Sequence, residues 1–410
     1  MKKNILAMVA ILSLSISGVA LAESNPSNDI SEGLKDIKVR LEVLEAKNKE
    51  LEEANKAIEA KTKLQESKDG NSLRISGVAS LQFQYTQNPR PLLDNILHGS
   101  SYYGNSLYYY GNAKDKVEYS PVFWLFLDKK IDENSYAHAL IGAQSLSGTD
   151  DTSIQFMEGY YASKTGNAGW AVGRFMPYVG KGLLYYAAYS DGVRLTLGSA
   201  DTVKADLYSF KKSGKTTANQ SAYDWVVADT AVKLDQNTNM SLSYVNDGDQ
   251  NRYRSKAIGL EYKGLPNINI TTEYGVNSAS YAKTGDGLTT YGNGGDSAKG
   301  MFIKAKYKGA NPFIVGTTGF WVTYKKADDG FDSYGYTSPL DSGSGPHNWS
   351  SPSPGGSIND IKGFEYGFEA TIAPRAMLQV RYGDMEAMKL TTLVNQKNQK
   401  YVLGQVTWLF

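Results

Sequence analysis

The last ten residues of the chain place the strongest limit on its fold. Residues 401–410 alternate between two faces, with Val402, Trp408 and Phe410 on one of them, and no turn residue follows. A sheet seldom ends on such an edge, because unpaired backbone N–H and C=O groups invite mispairing. A closed barrel removes the edge by pairing its last strand with its first. The pattern therefore requires a matching strand near the start of the domain.

The start of the chain is typical of a targeting segment. Lys2 and Lys3 precede an apolar stretch over residues 5–19, and the Ala-Leu-Ala sequence at 20–22 supplies a cleavage pattern. We expect residues 1–22 to be a signal peptide and the protein to be exported. No later run approaches the ~18 apolar residues of a spanning helix, so strands would have to carry the chain across any membrane.

A heptad spacing follows in residues 23–71, where apolar residues recur at alternating intervals of four and three. The expected seam consists of Leu34, Ile37, Leu41, Leu44, Asn48, Leu51, Asn55 and Ile58. This pattern predicts a coiled coil, in which asparagine on the seam fixes register at a cost in stability. A lone solvated helix or a disordered charged segment is the alternative. We favour a self-associating coil, because a seam without a partner would leave its leucines in water.

After residue 71 the period becomes two, and residues 73–85 form the required first strand. Fourteen further strands are expected at 116–127, 136–145, 153–163, 169–176, 191–198, 203–211, 223–234, 240–246, 256–263, 268–276, 300–308, 313–325, 361–372 and 377–385. Short turns alternate with long connections such as 86–115, 277–299 and 326–360. The fold class predicted is all-β: a 16-stranded antiparallel transmembrane β-barrel over residues 72–410, preceded by an α-helical coiled coil.

Charged residues alternate with apolar residues along the expected strands. Because a lysine at the bilayer midplane costs ~2–4 kcal/mol, the charged face is expected to line a polar, wet lumen. The lumen-facing residues expected are Arg74, Lys304, Lys306, Glu365, Glu369 and Arg381. A soluble β-sandwich would show the same period with its apolar face inside. The signal peptide, the terminal strand and the placement of the long loops at one end favour the barrel. The even-numbered face of the terminal assembly strand, with Trp408 and Phe410, should then touch lipid or a neighbouring subunit.

Together these features resemble the bacterial outer-membrane porins of the 16-stranded general type. The arrangement is most similar to porins of diderm Firmicutes, which carry a periplasmic coiled coil before the barrel. Those relatives usually also have an S-layer-homology domain, and only a handful of residues separate the cleavage site from the coil here. The resemblance implies an outer-membrane location, a homotrimer and a coil in the periplasm. A cell-wall or periplasmic partner for the coil is a further hypothesis.

The resemblance also implies that the connection between the fifth and sixth strands folds into the barrel and narrows it. The constriction residues expected are Glu158, Arg174, Tyr178, Lys181, Tyr185, Tyr186, Tyr189 and Arg194. Arg174 would face the lumen if Gly173 and Phe175 face outward, and Val193 similarly turns Arg194 inward. An ordinary external loop with interfacial tyrosines is the alternative.

No chemistry of an enzyme or cofactor is visible. Basic and acidic residues nearly balance at 43 and 42, so nucleic acid is not an expected partner. His98, His138 and His347 lie far apart, and we expect no metal site and no cofactor. The function expected is a passive diffusion channel for small hydrophilic solutes and ions. A membrane tether acting through the coil, or a sugar channel lined by the loop tyrosines, is the alternative.

Overall fold

The computed structural model describes residues 73–87, 116–145, 152–184, 190–212, 224–248, 253–284, 293–332, 361–388 and 398–410. Its strands are β1 Leu73–Gln87, β2 Lys116–Lys130, β3 Ser135–Ser145, β4 Thr152–Thr165, β5 Ala168–Phe175, β6 Ser190–Gly198, β7 Val203–Lys212, β8 Asp224–Lys233, β9 Thr238–Asp247, β10 Arg254–Leu265, β11 Ile268–Asn277, β12 Ala298–Lys308, β13 Thr318–Ala327, β14 Ile361–Ala373, β15 Ala376–Ala387 and β16 Asn398–Leu409. A short helix, α1 Ser280–Thr284, lies between β11 and β12.

These strands form one closed antiparallel barrel in which every strand pairs with its neighbours in sequence and β16 pairs with β1. The predicted 16-stranded barrel is therefore confirmed. Connections such as 166–167, 266–267 and 374–375 are tight turns at one end, which we call the short-turn end. The connections at the other end, the long-loop end, include 176–189 and 328–360.

The seam between the first and last strands closes through the terminal residue. Phe410 donates its backbone N–H to Gly77 at 3.1 Å and accepts the N–H of Gly77 at 3.0 Å. Its ring stacks on Phe123 with centroids 5.5 Å apart. A Cβ on Gly77 would lie 2.3 Å from the ring, so only glycine leaves room for it. Inside the barrel, the Gln405 amide donates to the Ser80 hydroxyl at 2.9 Å, so both faces of the seam are fixed.

The strand period of two separates an apolar outer face from a more polar inner face. On β10, for example, Ile258 and Leu260 are exposed on the outside while Ser255 is buried inside. At the end of β16, Trp408 and the following Phe410 are exposed with the outward residues. This alternation is what the sequence pattern encodes, because a side chain of either kind would be costly on the wrong face.

One predicted strand begins later than its sequence suggests. The expected strand 313–325 is Thr318–Ala327, because residues 309–317 form a compact turn. The Thr317 hydroxyl accepts the N–H of Asn311 at 2.7 Å and donates to the Ile314 carbonyl at 2.8 Å. The apolar run that includes Phe313 and Val315 is exposed in this turn, so a hydrophobic run here does not mark a strand.

The expected signal peptide at 1–22 and the expected coiled coil in 23–71 lie outside the described residues. No helix in the part of the chain that the structure describes is long and apolar enough to span a membrane.

Candidate functional site

The connection after β5 turns inward at residues 176–184. Phe175, the last residue of β5, is buried inside the barrel with its ring 5.9 Å from that of Tyr208. Val179, Leu183 and Leu184 follow, and each is at most 1% exposed because it packs in the same interior cluster. Apolar side chains therefore hold this segment, which we call the inner loop, against the wall of the barrel.

Two carboxylates on the inner wall hold the backbone of the inner loop. Asp229 on β8 accepts the N–H of Gly180 at 3.0 Å. Glu273 on β11 accepts the N–H groups of Lys181 and Leu183 through one oxygen, at 3.0 and 2.9 Å. A carboxyl oxygen can accept more than one N–H group, so each of these side chains is an anchor for a loop that lies outside the strands.

The anchoring geometry requires glycine at position 180. Gly180 has a φ of 63°, in the left-handed region that residues with a Cβ disfavour. A Cβ at this position would also lie 2.0 Å from the Oε1 atom of Glu273. Both the backbone conformation and the close approach of the carboxylate therefore depend on the absent side chain.

The side chain of Lys181 extends from the inner loop to a charged group on β10. Its Nζ lies 3.7 Å from the Oε2 atom of Glu261, and the other oxygen of Glu261 lies 2.9 Å from Nζ of Lys263. Two cations thus share one carboxylate. Lys263 is 54% exposed, so this group faces water within the barrel.

Two further residues from the predicted constriction lie on the neighbouring inner wall. Arg194 on β6 faces inward beside Tyr208 and Asp206. Glu158 on β4 lies 3.4 Å from Nε2 of His138, whose Nδ1 lies 2.7 Å from a carboxylate on β2. No role was predicted for His138, because its partners lie on two other strands.

Arg174 was expected in the lumen, and that prediction is wrong. Its guanidinium bonds Asp191 in two places, at 2.7 and 3.1 Å, and this pair lies on the outer face with Val172 and Val193. The reason is that Phe175 turns inward to join the interior cluster, which puts its predecessor outside. Apolar character at 173 and 175 was therefore a misleading guide to the facing of β5.

The opposite wall carries a buried network of charges. The sequence-predicted residues Lys304, Glu365, Glu369 and Arg381 are all at most 4% exposed and lie on the inner face of β12, β14 and β15. The predicted Lys306 bonds Glu369 at 2.7 Å. Arg74 lies on the same face of β1 as the inward residues Val78 and Ser80.

Lys325 completes this network and was missed. Its Nζ lies 3.1 Å from Glu365, which also accepts a hydrogen bond from the Tyr401 hydroxyl at 2.5 Å. Counting in steps of two from the inward Trp321 to position 325 would have found it.

The interior is less uniformly wet than expected. Ala279 and Ala282, beside and within α1, pack with Phe331 and the inner loop in one buried apolar cluster. These residues come from three connections at the long-loop end. The expectation of a wholly polar lumen is therefore wrong for this part, where loops enter and cover the wall.

Most of the remaining predicted constriction residues lie outside the part of the chain that the structure describes. Tyr178 is half-buried in the inner loop. Tyr185, Tyr186 and Tyr189 lie outside the described residues, as do His98 and His347. Among the residues that the structure does describe, no group of three acidic, histidine or cysteine side chains could hold a metal ion.

No family model matches the sequence, and no curated protein matches it. Solved structures do match. Pseudomonas aeruginosa OccK8 (OprE) superposes with a TM-score of 0.50 at 10% identity, covering 83% of this chain and 98% of that one. A triple mutant of Rhodopseudomonas blastica porin gives a TM-score of 0.49 at 9% identity, covering 83% and 100%. P. aeruginosa OccK5 (OpdH) gives 0.49 at 13% identity, covering 82% and 98%. At such identities the likeness to OccK8 shows a shared barrel fold and nothing about residues.

Proposed function

We propose that this protein is an outer-membrane porin, a passive diffusion channel for small hydrophilic solutes and ions. The observation that carries the proposal is the inner loop, which Asp229 and Glu273 hold inside a closed barrel. A loop fixed within a barrel narrows the passage without closing it, as a channel that limits solutes by size requires. The apolar outer face and the polar inner wall agree with a barrel set in lipid.

The constriction residues in this proposal are Lys181, Glu158 and Arg194, with Tyr178 and the tyrosines at 185, 186 and 189. Lys181 and a second lysine share the single carboxylate of Glu261, so this group of side chains carries one excess positive charge. Charges near the narrowest point set ion preference through their local field. We therefore propose a mild preference for anions over cations.

The assembly proposed is a homotrimer in the outer membrane, with the signal peptide removed and the coiled coil in the periplasm. The even-numbered face of the terminal strand, with Trp408 and Phe410, would touch lipid or a neighbouring subunit. Deleting residues 30–66 tests the role of the coil. Conductance should persist, while chemical cross-linking should show whether the coil adds to subunit association. An unchanged cross-linking pattern would contradict a self-associating coil.

Reconstitution into a planar lipid bilayer tests the function directly. Single insertions should produce stepwise increases in current that are ohmic at low voltage. A reversal potential in a salt gradient should then give the sign of the ion preference. A correctly folded barrel that produces no current steps would contradict the proposal.

A further inference from the structure

Four cations crowd one part of the outer face at the long-loop end of the barrel. Arg254 and Lys256 lie on β10, Lys299 on β12 and Lys326 on β13, and all four side chains are exposed. The first two share the outward face of β10 with the exposed Ile258. We call these four residues the basic rim.

Strand register brings the basic rim into a compact group. Lys256 pairs in register with Val276, and Val276 pairs with Lys299, so the two lysines flank one residue in a single row. Since neighbouring strands are ~4.8 Å apart, these backbones are about 10 Å apart. Lys326 pairs with Met301, one outward step closer to the short-turn end. The cluster is wide enough for a headgroup that carries more than one phosphate.

Other outward-facing cations at the long-loop end form ion pairs with carboxylates on neighbouring strands. Arg174 bonds Asp191 at 2.7 Å, and Lys362 bonds Glu386 at 2.8 Å. Among the residues that the structure describes, no ion pair engages the basic rim. The nearby carboxylate of Asp328 accepts the backbone N–H of Lys299 at 2.9 Å. With this one carboxylate beside four cations, the basic rim keeps a net positive charge.

The outer face directly below the basic rim is apolar. Ile258, Tyr274, Ile303 and Val322 are exposed on the four adjacent strands. A ligand that fits this surface therefore needs anionic groups at the level of the rim and hydrocarbon beneath them. Lysine and arginine bind phosphate oxygens through charge-assisted hydrogen bonds, and clustered cations at a membrane surface recognise anionic lipid.

We propose that the basic rim is a binding site for a phosphate-bearing lipid headgroup of the outer leaflet. The inference rests on the proposed function, because that function places the long-loop end at the outer surface. We expect a lipid rather than a free anion to bind here, because the apolar surface below the rim would contact the hydrocarbon chains of a lipid and adds nothing to the binding of soluble phosphate.

The test uses the full-length protein in three forms, the wild type and two variants. The rim variant combines Lys256→Gln, Lys299→Gln and Lys326→Gln. The matched control combines Lys130→Gln and Lys233→Gln with Lys164→Gln, all exposed lysines near the short-turn end. Each form is reconstituted into phosphatidylcholine vesicles with increasing fractions of lipid A, a bis-phosphorylated glycolipid, and lipid retained per barrel after extraction is measured by native mass spectrometry.

We expect the rim variant to need about 100-fold more lipid A for half-saturation, since each cation near an anionic surface contributes about a fivefold factor. The control should match the wild type. Equal retention by the rim variant and the wild type would overturn the proposal, and so would displacement of lipid A by inorganic phosphate. If the triple variant fails to fold, Lys256→Gln alone should still show about a fivefold loss.

Conductance of the same samples separates the two proposals. A wild type that retains lipid A through the basic rim but carries no current would overturn the channel and leave the lipid site standing. A rim variant that conducts normally while losing lipid A would support both.

Discussion

Replacing Glu273 with leucine tests whether the inner loop depends on its carboxylate anchor. The change removes the acceptor for two loop N–H groups, which lie 3.0 and 2.9 Å from one Glu273 oxygen. Each buried N–H left without a partner costs about 1–3 kcal/mol, so the docked loop should lose about 2–6 kcal/mol. Even the lower value corresponds to about a 30-fold shift toward the released loop. Larger and noisier current steps should follow.

The measurements are single-channel conductance and trypsin cleavage at Lys181, which the loop half-buries in the wild type. Glu273→Leu should accelerate the appearance of the fragment that ends at Lys181. Glu273→Gln is the matched control, because its amide oxygen can still accept both N–H groups and the side chain keeps its shape without any charge. Wild-type conductance and cleavage in the leucine variant would refute the anchoring argument. Equal damage in both variants would show that charge, rather than the acceptor, holds the loop.

Four further outcomes follow from the structure. Lys181→Ala should shift the reversal potential in a KCl gradient toward cations, by up to about fivefold in permeability ratio, since one charge at ~4 Å is worth about 1 kcal/mol in water. Arg174→Ala should leave it unchanged because its ion pair lies on the outer face, and a shift there would contradict that placement. Phe410→Ala should lower the midpoint of thermal unfolding, because it removes a stacked aromatic pair worth ~0.5–1.5 kcal/mol. Gly77→Val should lower the midpoint further, because its side chain would clash with the Phe410 ring. Midpoints equal to that of the wild type would contradict the role of this ring in closing the seam. The pKa of Asp235, in the turn after β8, lies below its usual value because turn N–H and hydroxyl groups hydrogen-bond its carboxylate. The hydrogen bonds to the Asp235 carboxylate therefore stabilise the turn above the usual pKa, and this stabilisation is lost as the pH falls through the lowered pKa. Amide exchange in that turn should accelerate only at strongly acid pH. Asp235→Asn should remove this dependence of turn stability on pH.

The strands of this barrel could be read from the sequence because their signal is local. Alternation along one strand encodes which residues face lipid, and turn residues mark the ends. The register then follows, since short turns leave little freedom at one end of the barrel. The exception is the 309–317 turn, where Phe313 and Val315 are apolar and yet exposed. Local hydrophobicity is ambiguous there, because hydrogen bonds centred on Thr317 decide the backbone path instead.

The anchors of the inner loop could not be read in the same way. Lys181 and Glu273 lie 92 positions apart, and only the closed sheet brings β11 beside the loop. Strand alternation is enough to place Glu273 on the inner face of β11. Alternation does not show that this carboxyl group accepts backbone N–H groups rather than facing water. That distinction depends on contacts between distant segments, which no local pattern encodes.

Arg174 and Arg194 show how one step of parity changes a functional assignment. Both lie on adjacent strands, and residue type alone gives them the same role in a pore. Arg194 is inward because Val193 and Leu195 fix the outer face of β6 on both sides of it. On β5, Trp170 and Val172 fix the outer face, and continuing their alternation places Arg174 outside. The arginine that pairs with Asp191 on the outer surface is therefore removed from the field of the lumen, and any anion preference must come from the inner loop and the inward arginine.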